Sequence, residues 1–84
     1  MSSEPDWLKQ ARQTADYHRK QRLTHDKKWT LTQTAKSLRR SLGSVCEDIL
    51  LAKESKIYDL EQFSYAYEAL NFIRLKKKER ELEN

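Results

Sequence analysis

Eighty-four residues hold one domain at most, with a thin core and little stability to spare. Seventeen Lys and Arg against thirteen Asp and Glu give a net charge of +4 and a pI near 9.3, which favours a polyanionic partner over a neutral one. One cysteine, Cys46, excludes an internal disulfide; one glycine excludes a glycine-rich phosphate loop; and no apolar run approaches the roughly 18 residues of a membrane span.

With many Ala, Leu, Lys, Glu, Arg and Gln, the chain reads as nearly all helix, a small all-α domain of four to five helices over residues 1–84. Ser3 and Asp6, with Pro5 in the first turn, predict a helix start. Trp7, Ala11 and Ala15 follow at steps of four and make one narrow apolar stripe, expected to pack weakly or against a partner. Residues 24–29 form a polar connection. A second start falls at Thr30, where Gln33 completes a capping-box spacing and Leu31, Ala35 and Leu38 supply the inward face. Ser41, or Ser44 paired with Glu47, caps the next helix, whose predicted buried face is Val45, Ile49, Leu50 and Ala52. Residues 56–63 read as a packed turn. A last helix over 64–82, opened by Ser64, turns Ala66, Ala69, Leu70 and Ile73 inward and ends in a charged, frayed tail.

Two short helices over 30–54, with small Ala35 in the first and Val45 ten positions later in the second, meet the steric demand of a helix-turn-helix, with Leu38 as the apolar plug. The stretch from Trp29 to Ala52 resembles the helix-turn-helix of ParB/KorB-type DNA-binding proteins in its leading tryptophan, its Ser-x-x-x-Val and its closing Leu-Ala. That resemblance implies a sequence-specific contact with duplex DNA. It departs from the usual motif at Arg39, where glycine commonly follows the leucine, and the lone Gly43 comes four positions later. Gly43 either lets DNA approach the backbone or relaxes a tight turn.

If the second motif helix enters the major groove, its first turns face base edges: Ser41, Leu42, Gly43, Ser44 and Glu47. Leu42 suits a thymine methyl and Glu47 a cytosine amine. Lys27, Lys28, Thr30, Thr32, Gln33, Lys36, Arg39 and Arg40 are the candidate phosphate contacts. No Lys or Arg occurs between Ser41 and Ala52, so Arg39 and Arg40 either neutralise Glu47 and Asp48 or grip the DNA backbone. His18, Arg19, Lys20 and Arg22 form a second basic patch. The aromatic residues Tyr58, Phe63, Tyr65, Tyr67 and Phe72 are spaced for core filling rather than base stacking, and Cys46 reads as half-buried.

No Ser/His/Asp order stands out and the two histidines have no companions at metal spacing, so no catalytic residue, metal, cofactor or small-molecule substrate is expected. The N-terminus does not resemble a signal peptide, and a cytoplasmic, nucleoid-associated location is expected. The combined expectation is a DNA-binding, non-enzymatic regulator of phage or mobile-element type, acting as a homodimer without a membrane partner. The alternatives are a protein adaptor in which Glu47 and Asp48 face a basic partner, and the DNA-recognition subunit of a phage packaging or replication complex.

Overall fold

In the computed structural model, which describes residues 4–83, four α-helices follow one another with no strand among the described residues. They are α1 (Asp6–Thr24), α2 (Leu31–Leu38), α3 (Leu42–Glu54) and α4 (Ala66–Glu83), with a 3-10 turn at Leu60–Gln62 before α4. None of these helices is long and apolar enough to cross a membrane.

Pro5 is the N-cap of α1 rather than part of its first turn, and its carbonyl accepts the Leu8 and Lys9 N–H groups at 3.0 and 3.1 Å. The cap expected from Ser3 lies outside the described residues. The inward face of α1 is Leu8, Ala11 and Thr14 rather than the Trp7–Ala11–Ala15 stripe. Thr14 was hidden from hydropathy reasoning because it is buried through hydrogen bonds. Trp7 is also committed inside the monomer: it packs on the core, and its indole Nε1–H donates to the Phe63 carbonyl at 3.1 Å.

The core joins Ala11 of α1, Leu51 of α3, Leu60 of the 3-10 turn and Ala69, Leu70 and Ile73 of α4. Leu8, Leu51 and Leu60 are at most 1% exposed, and such burial stabilises by about 1.5–3 kcal/mol per side chain. Tyr58, Phe63 and Phe72 seal this core; Phe72 meets Tyr58 edge-on at 5.4 Å and lies 5.3 Å from Phe63. Tyr65 and Tyr67 do not fill the core: both are exposed and stack on each other at 5.5 Å.

Three further expectations differ from the structure. Leu31 and Leu50 lie outward, while Thr34 and Leu51 take inward positions, because the polar contacts of Thr34 allow a hydroxyl where a hydrocarbon was expected. Cys46 is exposed rather than half-buried. Ser64 does not cap α4; the N–H of Tyr65 is taken instead by the Glu68 carboxylate at 3.2 Å. α4 turns Ala69, Leu70 and Ile73 into the core, as its spacing predicts, and from Arg74 to Leu82 every residue but the half-buried Lys76 is exposed. The radius of gyration, 13.9 Å, exceeds the roughly 12 Å of a compact domain of this length, as a projecting helix end requires.

Candidate nucleic-acid interface

Side chains start both motif helices, and a backbone turn stops α2. At the head of α2, Thr30 Oγ1 accepts from the Gln33 N–H at 3.2 Å and Gln33 Oε1 accepts from the Thr30 N–H at 2.8 Å, the reciprocal capping box that the sequence spacing predicts. At its end Arg39 turns into the left-handed region, φ 57°, ψ 44°. The Arg39 N–H then bonds the Lys36 carbonyl at 3.2 Å and the Arg40 N–H the Ala35 carbonyl at 3.0 Å, which is a Schellman closure. The residue that departs from the helix-turn-helix pattern thus adopts the conformation glycine usually supplies, at a cost of about 1 kcal/mol. Ser41, two residues after Arg39, opens α3 by accepting the Ser44 N–H at 3.1 Å. Ala35 and Val45, 5% and 0% exposed, are both buried, with Leu38 half-buried nearby in sequence.

α1 holds this pair of helices through polar bonds. Arg40 Nη1 is ion-paired with Asp48 Oδ2 and also donates to Thr14 Oγ1 at 3.0 Å; Thr14 Oγ1 in turn donates to the same Asp48 oxygen at 2.9 Å. Both charged side chains are largely covered, so the pair is worth more than an exposed one. Tyr17 and Ser37 share a short hydroxyl contact. A third link is centred on Thr34, which is fully buried: Trp29 Nε1–H donates to Thr34 Oγ1 at 2.6 Å, and that hydroxyl lies 2.7 Å from His18 Nδ1. Indole only donates, so the threonine proton is free to go to a neutral His18. Burial, and secondarily the charge of Arg22, hold His18 below the ordinary histidine value, which favours that neutral form.

On the outside of α3, helical periodicity places Gly43, Cys46, Glu47 and Leu50 on one side, and all four are exposed. Ser41 and Leu42 are exposed beside them and Ser44 is half-buried. Gly43 has negative φ, and a Cβ added to it would meet nothing within 4 Å, so neither backbone geometry nor packing demands glycine there. Relaxation of a tight turn therefore does not account for it. The N–H groups of Leu42 and Gly43 have no acceptor among the described residues.

Of the candidate phosphate contacts, Lys27, Lys28, Thr30, Thr32, Gln33, Lys36 and Arg39 are exposed. Lys27 stands at φ 65° in the turn after α1, next to Asp26 at φ 54°. Arg40 is the exception: its guanidinium turns inward to Asp48 and Thr14, so of its two expected roles the structure displays neutralisation of Asp48. In the second basic patch, Arg19 and Lys20 are paired with Asp16, whose carboxyl they hold below its ordinary value, Lys20 more strongly; His18 belongs to the Thr34 network. Thr14 and Thr34 were missed as positioning residues because their partners Asp48 and His18 lie 34 and 16 residues away, whereas the Arg40–Asp48 pair is one of the two roles the sequence gives Arg40. Set against protein-family models, curated proteins and solved structures, the chain matches none.

Proposed function

We propose that the chain binds duplex DNA sequence-specifically, with α3 entering the major groove as the second helix of a ParB/KorB-like helix-turn-helix. The observation that carries this reading is the exposed head of α3: bare Gly43, with the N–H groups of Leu42 and Gly43 unused, while Lys36 and Arg39 of the motif and Lys27 and Lys28 in the connection before it are all exposed. A phosphate suits those N–H groups and cations, and Leu42 and Glu47 suit thymine methyl and cytosine amine edges. One motif of this size spans a half-site, so the working unit is a homodimer on an inverted repeat. A small transcriptional regulator of phage or mobile-element type, acting at the nucleoid, fits that unit. The adaptor alternative loses half of its acidic patch, since Asp48 is taken by Arg40.

Titration of a labelled duplex at several salt concentrations tests the proposal. Four outward cations predict a slope of log K against log salt of about −3 to −4. Weak binding without salt dependence would overturn it.

A further inference from the structure

A trough of about 620 Å³ runs between α1 and α3. Its α1 wall is Arg12, Ala15, Asp16 and Arg19, and its α3 wall is Ile49, Ala52 and Lys53 with Lys56 just past the helix end. The α1 set has the spacing i, i+3, i+4, i+7 of one helical stripe, and Ile49, Ala52 and Lys53 share one face of α3, with Lys56 continuing that wall from the turn after it. The floor, Ala15, Ile49 and Ala52, is apolar, and two of its three residues are alanine, small enough to let a third helix come close. The rim is cationic. Asp16, the trough's one acid, is already bridged by Arg19 and Lys20, and Arg12 is held by Glu4 and by Ser55. Lys53 and Lys56 have no ion pair among the described residues.

We propose that this trough is a docking site for an acidic amphipathic helix of a partner protein. A phosphate backbone would use the rim but has nothing to place on an apolar floor; a neutral helix would use the floor and leave two lysines unpaired. An acidic amphipathic helix satisfies both, with apolar side chains at helical spacing on Ile49 and the alanines and carboxylates reaching Lys53 and Lys56. Ile49, Ala52 and Lys53 are distinct from the Leu42–Glu47 head of α3, so the partner and DNA can be bound together.

The test uses the whole chain and a fluorescein-labelled synthetic peptide about five helical turns long, with leucines at helical spacing and glutamates on the flanks. Its controls are the same peptide with lysine for glutamate, the same with serine for leucine, and a DNA duplex as competitor. The acidic leucine peptide is expected to bind at least about tenfold more tightly than either control peptide. The double variant Lys53→Glu, Lys56→Glu should weaken it by about tenfold, since two rim charges are reversed. Both lysines are exposed, and an unchanged circular dichroism melt shows that the variant is folded. Equal binding of the leucine-free peptide, indifference to the double variant, or no binding at all would overturn the proposal. So would competitive displacement by duplex, which would assign the trough to nucleic acid.

Discussion

Replacing the single glycine separates stability from binding at one position. Gly43 lies in the first turn of α3 with ordinary backbone angles and open space where a methyl would stand. Gly43→Ala therefore introduces no clash and removes glycine's conformational entropy penalty, which is about 0.5–1 kcal/mol in a helix interior and no more than that in the first turn. For a domain of this size that raises Tm by about 2–8 °C. If DNA approaches the bare backbone, the same methyl stands in the path of a phosphate or base edge, and affinity falls while stability rises. Thermal melts followed by circular dichroism and anisotropy titrations of a labelled duplex measure the two effects on one preparation. A lowered Tm would refute the open-space argument. Stabilisation with unchanged DNA affinity would refute the approach of DNA to Gly43.

Arg39→Gly relieves a left-handed arginine and is expected to stabilise by about 1 kcal/mol in denaturant melts, while the DNA-binding salt slope becomes shallower by about one phosphate contact. Asp48→Ala leaves the largely covered Arg40 and Thr14 without their shared acceptor and should cost about 1–3 kcal/mol in urea unfolding. Ala35→Leu overfills the buried junction of α2 with α3 and should cost about 1–3 kcal/mol, with DNA affinity reduced even at temperatures where the variant is folded. Because His18 is held below its unfolded value of about 6.5, the unfolded chain takes up the proton first. Stability should be full above that pH, decline as pH falls below it and level off once pH passes under the folded value; urea midpoints across this range should flatten in His18→Gln.

The helices were legible because local chemistry sets them: the Thr30–Gln33 box, the Ser41 cap and the Ala69–Leu70–Ile73 stripe each act within a few residues. The orientation of the motif was not, because it rests on bonds between distant polar side chains. Thr14 and Thr34 have the residue types of a solvated face, and only the packing of α1 across α2 and α3 makes them interior. Leu31 and Leu50 failed for the converse reason: a small domain has too little interior for every leucine. At the candidate interface, the outward cations and the bare α3 head follow from sequence order, whereas the inward turn of Arg40 required knowing that Thr14 and Asp48 share its neighbourhood.

The bonds among Thr14, Arg40 and Asp48 latch α1 to α3, so under the proposed reading α1 would steer a DNA-contacting helix without itself touching the DNA. If α3 reads DNA as proposed, loosening any of the latch's three members would let α3 tilt and would displace Leu42, Ser44 and Glu47 together. A genetic screen for lost recognition would therefore return Thr14 alongside Glu47, and only the retained secondary structure and altered melting of the former would distinguish bearing from blade.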